Sequence, residues 1–337
     1  MKIFKVTAII TIILSFCLFV KATDMQQVTL SLSKIGYQFI YLLLITLAAY
    51  WSATIGWKYT LGKKAEKISV TYLFLIRHIG EMVSLVNPAS VVAGEAVKVY
   101  LLQDTPVKKA EMISSVLISR IMIAITQLLL FFLTLAYVFL TDYDFFERLP
   151  MATLLVFAWL IVLLVIVVIF SRSTYIREIF ARSKLSLKIQ KLADIYKLRQ
   201  VFIEFNHFFK TNKKGLLLCT LFFSLHWVIG SLEIYAILKF LGIKTGILQV
   251  LFVDMGIILF KSAGAFIPGQ IGVEEIGNKV MLELVGIQDA GVWITVSVLR
   301  RSRQVFWLIC GMVFYFLYDM KRKGLSKFFN GDSVHKS

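Results

Sequence analysis

Proline is scarce in this chain, with four in 337 residues, as are cysteine with three and histidine with four. Charged residues amount to only 17%, and acids are the rarer sign, 20 against 37 Lys and Arg. Each shortage excludes something. Cys17, Cys219 and Cys310 all fall within apolar runs and lack metal-ligand spacing. Of His78, His207, His226 and His335, it is His78 that stands in an apolar run with a carboxylate, Glu81, one helical turn on. That is too little for the positioned base or metal cluster that most group-transfer enzymes need. No metal, no cofactor and no catalytic residue is therefore expected. The shortage of acids leaves a net charge of +17, but the distribution argues against a nucleic-acid partner. The basic residues crowd into short segments beside apolar runs, the pattern set by membrane topology and anionic lipid headgroups.

What is abundant is apolar: 58% of the residues, with a mean hydropathy of +0.80. A soluble protein of this length needs far less, so the expected class is an all-α polytopic membrane protein. Six full spans are expected, at Ile3–Val20, Gln38–Trp57, Ile113–Leu140, Met151–Phe170, Gly215–Leu241 and Trp293–Tyr318. The first also fits a cleaved signal peptide, with small residues around Val20-Lys21-Ala22, but a retained span is favoured. Lys58, Lys63, Lys64 and Lys67 follow the second span, and Lys321, Arg322, Lys323 and Lys327 follow the last. Both clusters belong in the cytoplasm by the positive-inside rule, which places both termini there. The segment 171–214 carries eleven Lys and Arg, with apolar residues such as Leu198, Val201, Phe202 and Phe205 at helical spacing. It is expected as a basic amphipathic helix on the cytoplasmic leaflet. The whole reads as one membrane domain over 1–323 with a short cytoplasmic tail, 324–337.

Two segments break the apolar pattern. One is N-P-A-S-V-V-A-G-E-A-V-K, Asn87–Lys98; the other is F-I-P-G-Q-I-G-V-E-E-I-G-N-K, Phe266–Lys279. Backbone interrupted by Pro and Gly at membrane depth must be buried in protein or line a wet cavity. Both are expected as re-entrant, broken helices. A shift of 180 residues aligns Pro88 with Pro268, Glu95 with Glu275, Ala110 with Ala290, Val116 with Val296 and Arg120 with Arg300. Pro, Glu and Arg are scarce enough here that their coincidence at one offset marks a repeat, roughly 38–140 and 215–320. Charge counting gives the two copies opposite orientations, an inverted repeat of the kind built into transporters.

The candidate lipid-headgroup residues are Glu95, Lys98, Arg120, Glu274, Glu275, Lys279 and Arg300, on a framework of Pro88, Gly94, Pro268, Gly269 and Gly272. Glu95 is expected to pair with Arg120, and Glu275 with Arg300. An isolated charge at mid-helix costs roughly 2.5–3.5 kcal/mol to insert, so such pairs offset each other. They either clamp the broken helices or receive a phosphate, to which guanidinium is suited. Arg301 and Arg303 read as interfacial anchors, Glu274 as facing water at the turn, and His78 as a buried, satisfied histidine.

At these motifs the chain resembles the lysylphosphatidylglycerol synthase transmembrane domain, a flippase-like family. The resemblance covers roughly Leu30–Lys323 and rests on N-P-A-S-V-V-A-G-E-A-V-K, on the Arg of I-S-R at Arg120, on I-P-G-Q-I-G-V-E-E and on V-L-R-R-S-R-Q-V-F-W-L-I-C-G. It implies a lipid translocator or related lipid-handling protein of a bacterial inner membrane, acting on a phospholipid, an aminoacylated lipid or a polycyclic lipid. The family framework maps onto Pro88, Gly94, Glu95, Arg120, Pro268, Gly269, Gly272, Glu275 and Arg300. Ser119 stands where an acid commonly precedes that Arg, and Gln270 where Gly is common. No aminoacyl-transferase domain follows in this sequence, so a stand-alone protein is expected rather than the synthase itself. A lipid-modifying transferase and a non-transporting scaffold are the competing functions. Membrane lipids with anionic headgroups are the expected partners; a second copy of the chain and a lipid-modifying enzyme are left open.

Overall fold

The computed structural model describes residues 33, 35–62, 67–86, 90–142, 198–264, 270 and 272–331. The expected spans Ile3–Val20 and Met151–Phe170 lie outside the described residues, as do Pro88, Pro268, Gly269 and most of the basic segment. Among the described residues the protein is all-helical, with nine α-helices: α1 Phe39–Thr60, α2 Val70–Val86, α3 Ser90–Leu101, α4 Lys109–Thr141, α5 Leu198–Thr211, α6 Lys213–Phe240, α7 Ile247–Ala263, α8 Val273–Leu284 and α9 Ala290–Gly331. Three of them, each with its flanking turn where one exists, are long and apolar enough to cross a membrane: Gly36–Thr60, Lys109–Thr141 and Lys213–Phe240.

Polar side chains inside these helices are satisfied locally. In α4 the hydroxyls of Ser115, Ser119, Thr126 and Thr134 donate to carbonyls three or four residues back. That returns the donor to the helix backbone and removes the cost of carrying it through an apolar environment. The outer face of α4 is a stripe of exposed Leu117, Ile121, Ile125, Leu129 and Leu133, spaced by four, and α6 presents Leu217, Leu221 and Leu225 in the same way. Stripes of this kind are suited to acyl chains and costly in water.

Helices α1 and α6 form the largest helix–helix contact. Small residues let them approach: Gly56 lies against the Phe223 ring, Gly230 against Ala49, and His226 Nδ1 reaches the Ala49 carbonyl at 2.9 Å. Each half then continues with a helix hairpin, α2–α3 in one and α7–α8 in the other, followed by a long helix, α4 or α9. Shifted by 180 residues, Val70–Val86 falls on 250–266, against α7, and Lys109–Thr141 falls on 289–321, one residue short of lying wholly within α9. The packing between halves is reciprocal: α4 packs against α7, and its counterpart α9 packs against α2. Such exchange is what a two-fold relation between halves produces.

The hairpins close through glycine. A Cβ on Gly94 would lie 1.9 Å from Ser84 Oγ and 2.4 Å from the Gly80 carbonyl oxygen, so α2 and α3 touch backbone to backbone. In α7–α8, Gly256 meets Met281 and Gly264 meets Val273. The second arms are short. Helices α3 and α8 have 12 residues each, about 18 Å, too little for a hydrocarbon core of about 30 Å.

One expectation changes here. Of the basic segment, residues 198–214 are described, and the apolar side of α5 is in part covered by protein: Val201 and Phe208 are buried, and Phe208 joins Ile118, Met122 and Phe223 in a common core, while Ile203 is exposed. Aromatic residues of α5 fill the groove between α4 and α6, which a membrane surface does not offer.

Candidate functional site

Each hairpin brings a cluster of charged side chains to the interior. In the first half, α2 contributes Arg77 and Glu81, α3 contributes Glu95 and Lys98, and α4 contributes Arg120. Lys98 Nζ lies 3.0 Å from carboxylate oxygens of both Glu81 and Glu95. Arg120 pairs with Glu95 through Nε and Nη2, and its Nη2 is 3.3 Å from Glu81. Arg77 is 4.0 Å from Glu81. Glu95 and Lys98, three apart on one helix, face the same way. The pairing of Glu95 with Arg120 is as the 180-residue offset implies, and Lys98 lies in the same group.

The second cluster draws on four helices. Arg300 on α9 lies 3.0 Å from Asp254 on α7, 3.3 Å from Glu274 on α8 and 4.0 Å from Glu233 on α6. Arg303 is 2.7 Å from Glu233, and Lys261 is 3.1 Å from Glu274. Gln304 Nε2 donates to Glu274 at 2.7 Å. Here the sequence expectation is revised in three respects. Glu275 pairs with Arg301, and Arg300 pairs with Glu274 instead. Glu274 does not face water: its side chain is 1% exposed. Arg301 and Arg303 are buried ion-pair partners and not interfacial anchors. The physical reason is helical geometry. Adjacent residues on a helix point about 100° apart, so a pairing read from spacing is easily off by one residue on each helix.

The remaining candidates stand outside the ion pairs of the two clusters. Lys279 is 51% exposed, with Glu283 at 4.0 Å as its partner, and it stands apart from both clusters. Gly94 serves the close approach of α2 and α3. Gly272, at φ +84°, opens α8 and donates its N–H to Glu275 Oε2 at 2.8 Å. That conformation is one glycine adopts at no steric cost. His78 is buried with Nδ1 3.3 Å from the Phe74 carbonyl, in keeping with the reading of a satisfied histidine.

Between the two clusters lies a cavity of about 570 Å³ onto which both open. Arg77, Glu81 and Arg120 line it from the first half, and Lys261, Arg300 and Arg303 from the second. One wall is aromatic: Tyr50, His78 and Trp307 meet in pairs with ring centroids 5.0–5.4 Å apart. Tyr50 joins the clusters, because its hydroxyl accepts from Arg303 Nη1 at 2.9 Å while Arg77 lies over its ring at 5.4 Å. Glu233, Asp254, Lys261 and Arg77 appear in the sequence as isolated charges in apolar runs. Their rarity there was a usable signal, but nothing in their spacing shows that they converge.

A family model described as the lysylphosphatidylglycerol synthase TM region matches residues 4–311. No curated protein and no solved structure matches the chain.

Proposed function

Because the chain belongs to the lysylphosphatidylglycerol synthase transmembrane family, a membrane family associated with lipid handling, we propose that it is a flippase that passes a lipid headgroup through the central cavity. One observation carries this reading: two networks of buried charge, one from each half, open onto a shared cavity of about 570 Å³ inside helices whose outer faces are exposed leucine and isoleucine. A polar headgroup cannot enter hydrocarbon without losing its hydration, whereas fixed charges and hydrogen-bonding groups can replace that water. The substrate class is a phospholipid, an aminoacylated phospholipid or a polycyclic lipid with a polar group. A transferase stands second, since each described carboxylate of the two clusters already pairs with a cation, which leaves none poised as a base.

The same reading gives six full spans and two re-entrant hairpins that enter from opposite sides of a bacterial inner membrane, with both termini cytoplasmic. The short arms α3 and α8 favour re-entry. The exposed Phe306, Ile309, Val313 and Phe316 along α9 favour its crossing the bilayer, although its arginines make it less apolar than the other spans. Transport is tested in liposomes with a fluorescent phospholipid, comparing the wild type, Arg120→Ala, Arg300→Ala and protein-free vesicles. Crossing is expected with the wild type alone; equal rates in all four samples exclude the flippase. Topology is tested with an impermeant thiol reagent on a Lys279→Cys variant in a background free of the native cysteines. Labelling from the outside is expected, and labelling only from the cytoplasm overturns the inverted arrangement.

A further inference from the structure

The two clusters differ in how completely their cations are compensated. In the second, Lys261, Arg300, Arg301 and Arg303 face Glu233, Asp254, Glu274 and Glu275, four of each sign, and every cation has a carboxylate within 3.1 Å. In the first, Arg77, Lys98 and Arg120 share only Glu81 and Glu95 among the described residues. The surplus charge is localised by geometry. Lys98 and Arg120 each touch both carboxylates, whereas Arg77 reaches only Glu81, at 4.0 Å, and that same oxygen already faces Lys98 at 3.0 Å. Arg77 is buried, its Nη1 has no hydrogen-bond partner among the described residues, and it lines the central cavity. The Tyr50 ring beneath it, 5.4 Å from the guanidinium carbon, holds the group in place without neutralising it.

A buried guanidinium with an unpaired donor is costly unless something supplies the missing anion. We propose that Arg77 is the anion-receiving residue of the cavity and that its ligand is a phosphate group, carried by a lipid headgroup. The planar fork of a guanidinium suits two phosphate oxygens at once. Arg120 and Arg300, the residues that sequence alone nominates for this contact, have their donors turned to carboxylates. Arg77 adds a named contact to the lipid-translocation reading and rests on it for the identity of the ligand.

The test is binding to purified full-length protein in detergent, by calorimetry, with dihexanoyl phosphatidylglycerol and with inorganic phosphate as separate probes. Wild-type protein is expected to bind the short-chain lipid, and Arg77→Gln to weaken that binding about tenfold or more. Arg77→Lys is expected to fall between them, because it keeps the charge and loses the fork. Lys279→Gln is expected to bind as the wild type does. Unchanged lipid affinity in a folded Arg77→Gln variant overturns the proposal. Where Arg77→Gln fails to fold, Arg77→Lys decides, and wild-type affinity in that variant overturns the forked contact. Inorganic phosphate binding more tightly than the lipid, in an Arg77-dependent manner, upholds the anion site and overturns its lipid source. Arg77-dependent lipid binding without crossing in liposomes removes the flippase and leaves the site. Crossing that is unaffected by loss of Arg77 removes the site and leaves the flippase.

Discussion

Arg120 and Arg300 stand at equivalent places in the two halves, 180 residues apart, and meet very different surroundings. The Arg120 side chain is 31% exposed and shares Glu81 and Glu95 with Lys98. The Arg300 side chain is 5% exposed and is approached by carboxylates from three other helices. The same offset places Asp254 on Phe74, Glu233 on Ala53 and Arg303 on Ile123. The helix plan is therefore shared, and the chemistry hung on it is not. Both clusters open onto the cavity, but among the described residues one is charge-balanced and the other carries an excess cation. A balanced network holds helices in register, since separating its members strands charges in a medium that cannot solvate them. An unbalanced network is where a charged ligand has something to gain.

The sharpest way to break this comparison is to delete each arginine in turn. Arg300→Ala takes from buried Asp254 the cation at 3.0 Å, leaves Glu233 and Glu274 to Arg303 and Lys261, and is expected to cost about 3–5 kcal/mol. Arg120→Ala, with water and Lys98 to compensate Glu81 and Glu95, is expected to cost about 1–2 kcal/mol. Denaturation midpoints in detergent measure both, and equal losses would erase the distinction between the balanced and the unbalanced cluster.

A second comparison concerns the glycines of the two hairpins. Gly94→Ala forces a methyl into Ser84 and the Gly80 carbonyl and is expected to destabilise by about 1–3 kcal/mol. Gly272→Ala meets open space and suffers only its φ of +84°, about 1 kcal/mol. Thermal unfolding of the two variants ranks them, and a reversed order would mean that the first hairpin does not close through backbone contact. The smallest effect is expected at Lys279. Its loss to Ala should change stability by no more than about 0.5 kcal/mol and leave lipid crossing at the wild-type rate, because its one carboxylate neighbour is 4.0 Å away at an exposed site. A large loss of transport in that variant would extend the site beyond the two clusters.

Much of this was legible in the residues. The broken segments announced themselves by Pro, Gly and Glu among apolar neighbours, and the recurrence of Pro88, Glu95 and Arg120 at Pro268, Glu275 and Arg300 marked out the two halves. Gly94 fell within a motif before its close approach to Gly80 was visible. The partners of the charges were harder. Glu274 and Glu275 are neighbours in sequence but lie on different sides of α8, so one is sealed against Lys261 and Arg300 while the other meets Arg301 at the helix edge. Arg77 is one of the charges in the apolar run 68–86, and nothing in its residue type marks it, because an unpaired donor is a property of its surroundings.

The sequence by itself determined the class, a helical membrane protein with a repeated plan, since hydropathy, glycine, proline and charge act along the chain and can be read there. Tertiary structure alone decided which carboxylate each arginine meets, which cluster is charge-balanced, and that Arg77 is left over. Ion pairing depends on distances of 3–4 Å between side chains from different helices, and helix rotation and hairpin closure set those distances only once the halves have packed.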